Sequence, residues 1–150
     1  KIDRYSIENY LTDPILVYAA LIDKEKNQLI EGLKLSVGEE YKLKSLPNET
    51  LQKVADSIIS MVEPELHKYF PDFDASKETE RIEVEFIGGA KLLYPKWLLN
   101  RRGKTILNEI YNNTFSSSVI NFSTLFKALR KLNMFPKDLA DKLTEIKNGC

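Results

Sequence analysis

Arg4-Tyr5-Ser6-Ile7-Glu8-Asn9-Tyr10-Leu11, followed by Asp13-Pro14, places two helix starts within a few residues of each other and points to a mainly helical fold. Ser6 is a good N-cap, because its hydroxyl can accept from the first unpaired backbone N–H groups. Ile7, Tyr10 and Leu11 are spaced to face a core, which sets Glu8 beside the buried stripe. An acid in that position has three readings. It complements the helix dipole, or it pairs with a basic side chain such as Arg4, or it is a metal ligand or general base on a rigid element. Asp13 then caps a second helix with Pro14 at its first position, where the missing N–H costs nothing. Ile15, Leu16, Ala19, Ala20 and Ile22 give that helix a broad apolar face.

Helical spacing continues downstream. Leu29, Ile30, Leu33 and Leu35 suggest a short helix closed near Gly38, and residues 39–46 are open between helix and loop. Asn48 caps the clearest helix, with Leu51, Val54, Ala55, Ile58, Ile59 and Val62 in register until Pro64 breaks it. Asp72-Phe73-Asp74 follows Pro71 and lacks a β-branched lead-in, so it reads as a turn with exposed acids rather than a metal-holding strand. Ile82 to Ile87 alternates apolar and acidic residues. With the Gly88-Gly89 turn and a return over Ala90–Tyr94, this predicts one small β-hairpin. Pro95 opens a short helix through Trp97, Leu98 and Leu99. A basic loop, Asn100-Arg101-Arg102-Gly103-Lys104, then precedes a helix using Ile106, Leu107, Ile110 and Tyr111. Residues 112–121 read as a polar loop or lid. Ser123 caps a helix with a Leu125, Phe126, Leu129 and Leu132 stripe, and Pro136 starts a last amphipathic helix.

The 150 residues make one domain or a domain fragment, and 43% hydrophobic residues with 10% aromatics supply a core and argue against disorder. Net charge is zero, but it is unevenly spread. Residues 1–75 carry 9 Lys and Arg against 14 Asp and Glu, and residues 76–150 carry 13 against 8. Within 91–131 eight basic residues face one acid, Glu109, which fits a phosphate-bearing partner or an ordinary solvated helix face. A single cysteine, Cys150, allows no disulfide within the chain and suggests a reducing, cytoplasmic setting. No apolar run approaches the ~20 residues that cross a bilayer, so no membrane partner is expected. The lone histidine, His67, and the distant Cys150 exclude an ordinary zinc site. The basic loop lacks the upstream glycine and strand of a Walker motif. A start at Lys1, just before the quoted stretch, suggests a piece of a longer protein.

The Arg4–Leu11 stretch with Asp13-Pro14 resembles the ENYL segment of TOPRIM-type domains in OLD-family (overcoming lysogenization defect) nucleases. It is closer still to the TOPRIM-like domains that accompany AAA or ABC ATPases in bacterial anti-phage defence. Gly88-Gly89, Leu93-Tyr94-Pro95-Lys96-Trp97-Leu98-Leu99, Gly103-Lys104 and Phe135-Pro136-Lys137-Asp138-Leu139 resemble the same domains' downstream pattern. The resemblance implies the helical C-terminal half of a TOPRIM-like α/β unit. It further implies a metal-dependent phosphodiesterase acting on DNA or RNA with Mg²⁺ or Mn²⁺ in the full-length protein. Glu8 would match the late acidic residue near the metals, and Lys104 the basic residue that steadies the transition-state phosphate. Arg101 and Arg102 would hold the nucleic-acid backbone, and Lys127, Arg130 and Lys131, which cluster outside the 125–132 stripe, would extend that surface as part of the basic 91–131 face. The early glutamate and strand-borne D-x-D of such a core have no match here, and the role does not pass to Asp72 and Asp74. The chain alone is therefore expected to be inactive and to hold no metal tightly. The alternative is a non-catalytic helical module that binds a partner protein or nucleic acid through its basic 91–131 face.

Overall fold

The computed structural model describes residues 4–26 and 33–148, and these are mainly helical with one antiparallel hairpin, as the hydrophobic periodicity indicates. At the centre lies α1 (Pro14–Asp23). It is buried on every side from Pro14 to Ile22, so its apolar residues form a whole cylinder rather than one face. A helix apolar all round has to be enclosed. Here α2 (Asn48–Val62), α7 (Phe122–Leu132) and a 3-10 turn, Glu40–Ser45, enclose it. The start of α1 is fixed chemically as well. Asp13 Oδ1 accepts from Ile15 N at 2.8 Å, the cap expected from sequence, and also from the Tyr94 hydroxyl at 2.6 Å. The Tyr111 hydroxyl donates to the Thr12 carbonyl at 2.7 Å, so the Thr12-Asp13 entry is held from both sides.

After α2, Pro64 forces a 3-10 turn, Glu63–Glu65, before the short α3 (Leu66–Tyr69). Strands β1 (Arg81–Glu85) and β2 (Lys91–Pro95) pair with Ile82 opposite Tyr94 and Val84 opposite Leu92. Gly88 and Gly89 form the turn at φ 106° and 108°, a region costly to residues with a Cβ. The hairpin packs on α2 through β2 and on α8 (Lys137–Asn148) through β1, and Ile87 N donates to the Phe135 carbonyl at 2.8 Å.

From β2 the chain enters α4 (Lys96–Asn100). It then runs as one helical stretch through α5 (Gly103–Thr105), a π-helical turn (Ile106–Tyr111) and α6 (Asn112–Phe115). Ile106, Leu107, Ile110 and Tyr111 are buried, as their spacing indicates.

Five local expectations need correction. Pro47, not Asn48, holds the N-cap position of α2, and Asn48 is its first helical residue. Residues Ile7–Tyr10 form a single 3-10 turn in which Ile7 is exposed and Asn9 is buried, because a threefold turn rotates different residues inward. Residues 33–36 are not helical, while Leu29 and Ile30 lie outside the described residues. The stretch after Tyr111 stays helical to Phe115 and then buries Val119 and Ile120, so it is packed chain rather than a lid. Asn121, not Ser123, caps α7, accepting from Thr124 N at 2.9 Å, and Phe126 of the expected stripe is exposed.

Candidate functional site

Asn9 builds the site. Its side chain is fully buried and bridges two segments roughly ninety residues apart in sequence. Nδ2 donates to the carbonyls of Leu98 at 3.0 Å and Arg101 at 2.8 Å, while Oδ1 accepts from Ser6 N at 3.0 Å and Ser6 Oγ at 2.9 Å. Ser6 thus stands at the N-cap of the turn in a capping box with Asn9, and its hydroxyl also donates to the Asn9 side chain. Nearly the whole hydrogen-bonding capacity of the amide is used. The loop carrying Arg101 and Arg102 is thereby held against the Ile7–Tyr10 turn.

Gly103 completes the junction. A Cβ there would lie 2.7 Å from Asn9 Oδ1 and 2.8 Å from Asn9 N, so only glycine lets the two backbones come this close. In this fold the glycine before Lys104 is required for packing against Asn9. Arg4 locks the other side of the turn. It pairs with Asp138 of α8 through Nε at 2.6 Å and a second nitrogen at 3.1 Å, lies over the Tyr10 ring, and donates to the Asn9 carbonyl. The pairing of Arg4 with Glu8 weighed from sequence is replaced by this two-pronged contact.

Glu8 faces Lys104 instead. Oε1 lies 3.9 Å from the Lys104 Nζ, with the Glu8 side chain 18% exposed and that of Lys104 56% exposed. The Ser6 hydroxyl is the main cause holding the Glu8 carboxyl below the ordinary carboxylate range; its own backbone N–H adds to this, burial opposes it, and the Lys104 and Arg102 charges contribute further. Ser6 has one proton to share between Glu8 and Asn9, so the same hydroxyl links the buried amide to the partly buried acid. An ion pair this open contributes little stability, within about 1 kcal/mol. Its interest lies in placing a carboxylate and an ammonium group side by side at the surface.

The other cations proposed from sequence divide. Arg101 is committed. It makes paired contacts to Asp72 at 3.1 Å each and one to Glu78 at 2.8 Å, and its guanidinium lies over Phe70 and Phe73. Its side chain is only 15% exposed, so it staples the 70–78 turn to the α4 end rather than standing free for a phosphate. Asp72 is held below the usual carboxylate range chiefly by its hydrogen bond to Arg101. Lys127 and Lys131 both reach Asp23 at the end of α1, and that pairing fastens α7 to α1. Arg102 and Arg130 are exposed and make no ion pair among the described residues. The basic 91–131 segment is thus divided between structural pairs and free cations.

For metal chemistry the donors are few. Among the described residues no group of three or more His, Cys, Asp or Glu side chains gathers where a cation could be held. Glu8 offers a single carboxylate with an ammonium as its neighbour, and this does not fit a divalent ion on its own. Also among the described residues, no helix is long and apolar enough to cross a membrane.

Sequence reasoning singled out Glu8 and Lys104 but passed over Asn9. Its signal was present: an amide between apolar residues in a stretch expected to be buried needs partners. Those partners, the Leu98 and Arg101 carbonyls, were not identifiable from the sequence. No family model matches the chain, and no curated protein or solved structure is significantly similar to it.

Proposed function

We propose that this chain belongs to a TOPRIM-like nuclease of the OLD-family type, acting on DNA or RNA in bacterial phage defence beside an AAA or ABC ATPase. The observation that supports this reading most is the convergence of Glu8 and Lys104, nearly a hundred residues apart in sequence, to 3.9 Å at the surface, with Arg102 adjacent. Lys104 is the group that would neutralise a phosphate oxygen as charge builds there. Glu8, kept ionised by Ser6 and its cationic neighbours, would orient or accept a proton from an attacking water. Mg²⁺ or Mn²⁺ would need further acids from elsewhere in the polypeptide or from a partner, so these roles are assigned to the side chains alone.

The test is binding of a short fluorescent duplex and the matching single strand across a salt series, together with a cleavage assay. Binding should weaken with salt, weaken further in Lys104→Ala and Arg102→Ala, and tighten in Glu8→Gln as a charge opposing the phosphate is removed. Binding that ignores salt and all three substitutions would end this reading. No turnover is expected from the chain alone. The second reading, a non-catalytic module binding a partner through the 91–131 face, draws its support from Arg102 and Arg130, which stay clear of structural ion pairs. Duplex binding lost in Arg130→Ala but unchanged in Lys104→Ala would favour it.

A further inference from the structure

Helix α7 leaves a row of side chains in water that its own packing does not use. Phe122, Phe126 and Arg130 follow one another four residues apart, and all three are exposed, Phe126 at 52%. Leu125, Ala128 and Leu132 are buried on the side that packs on α1 and the Glu40–Ser45 turn. The two phenylalanine rings stack with centroids 6.4 Å apart and planes 22° from parallel. Arg130 makes no ion pair among the described residues, whereas its neighbours Lys127 and Lys131 reach Asp23. The row shares a face with the acid and the lysine described above. Both rings and Glu8 border one trough beside the Ile7–Tyr10 turn, and Lys104 Nζ stands 3.9 Å from Glu8.

Flat apolar rings beside uncommitted cations select their partner by chemistry. The exposed Arg102, Lys104 and Arg130 call for an anion, and the rings call for something flat and apolar next to it. A duplex turns its phosphates outward and keeps its bases stacked on one another, so exposed rings would meet only sugar and phosphate. A single strand offers open base faces beside every phosphate, and such strands bind where aromatic rings accompany a basic surface. From Phe122 to Arg130 the helix rises about 12 Å at ~1.5 Å per residue, the length of roughly three to four nucleotides at ~3.4 Å each. An anionic membrane would press its charge on Glu8 as well as on the cations. A flexible strand can set bases on the rings and phosphates on the cations.

We propose that this face binds single-stranded nucleic acid, with bases stacked on Phe122 and Phe126, a phosphate on Arg130, and the strand continuing to Lys104 and Glu8. The inference rests on the nuclease reading for the chemistry at Lys104. It adds the form of the substrate, an unpaired strand rather than a duplex. Stacking on a ring tolerates any base, so the face selects for unpaired strand and not for sequence.

Fluorescence anisotropy of the whole chain measures binding of thymidine and uridine strands of about 12 nucleotides, a duplex of that length, and a strand with the same phosphates but no bases. The tighter of the two strands, which names the preferred sugar, should bind about tenfold better than the duplex or the base-free strand, the margin of stacking one base. Phe126→Ala, at an exposed position and confirmed folded by near-UV circular dichroism, should weaken strand binding about tenfold and leave its salt slope unchanged. Phe126→Trp should keep the affinity, and Arg130→Ala should lower the salt slope by about 0.7. Equal binding of strand and duplex overturns the proposal, as does strand binding indifferent to Phe126→Ala. If that binding still falls with salt and in Lys104→Ala, the nuclease reading stands without it. Failure to bind any of the probes at low salt ends both. Phosphatidylserine vesicles that bind through Phe126 and displace the strand overturn the proposal and give the face to a membrane. A concentration-dependent dimer that shuts out the strand gives it to a second copy of the chain and overturns the proposal as well.

Discussion

Replacing Asn9 by alanine would remove the bonds from Nδ2 to the Leu98 and Arg101 carbonyls and those from Ser6 N and Oγ to Oδ1. The Ser6 hydroxyl can turn to Glu8 or to water. The Leu98 carbonyl, the Arg101 carbonyl and the Ser6 N–H have no such freedom while the junction stays closed. A buried group left unpaired costs about 1–3 kcal/mol; the Leu98 carbonyl is buried and the other two are partly buried, so the lower end of that range for all three gives at most about 3 kcal/mol. For a domain of this size that is a fall in Tm of about 6–12 °C. The assay is urea unfolding followed by the fluorescence of Trp97, the single tryptophan, which is buried. Asn9→Asp keeps an acceptor for Ser6 but turns a carboxylate towards two carbonyls, and should be at least as damaging. Tyr5→Ala, at an exposed neighbouring position, should stay within about 0.5 kcal/mol. A loss below about 1 kcal/mol for Asn9→Ala would refute the view that this amide holds the site together.

Gly103→Ala drives a methyl group into Asn9 and should cost about 1–3 kcal/mol by the same unfolding assay, with duplex binding weakened as Lys104 is displaced from Glu8. Arg101→Lys should destabilise almost as much as Arg101→Ala, by about 1 kcal/mol after allowance for the exposed Asp72, because a point charge cannot reproduce the paired contacts or the stacking on Phe70 and Phe73. Alkaline unfolding should be steep. Burial, then the Asp138 carboxylate, pushes the Tyr10 hydroxyl up to about 12, and burial raises Tyr94 and Tyr111 as well. A raised folded-state pKa gives stability that is complete below the unfolded value of about 10 and lost as pH rises through the folded value. Unfolding midpoints measured from pH 8 to about 12 should therefore fall above pH 10, and less steeply in Tyr10→Phe.

Much of the architecture could be read along the chain. The α2 periodicity, the acidic–apolar alternation around Val84, the paired glycines at the turn and the Asp13-Pro14 start are local patterns, and local patterns report local backbone geometry. The Ile7–Tyr10 turn was harder. Its residues suit a helix, but the side chain of Asn9 is committed to carbonyls from a distant loop, and that fixes a tight turn with Asn9 rather than Ile7 inside. Arg101 misled for a similar reason. A basic loop residue looks free until the 70–78 turn arrives with two carboxylates and two aromatic rings.

The order of residues alone determined that this protein is mainly helical, that one hairpin interrupts it, and that an acid near one end and a lysine after a glycine stand out as chemistry. Only the packed chain decided that the acid and the lysine meet, that Arg4 chooses Asp138, and that the Phe122 and Phe126 rings stack in the open on the same face as Glu8. The physical reason is range. Helix and turn preferences act over a few neighbouring residues, whereas hydrogen bonds and ion pairs join whichever groups the burial of α1 brings together.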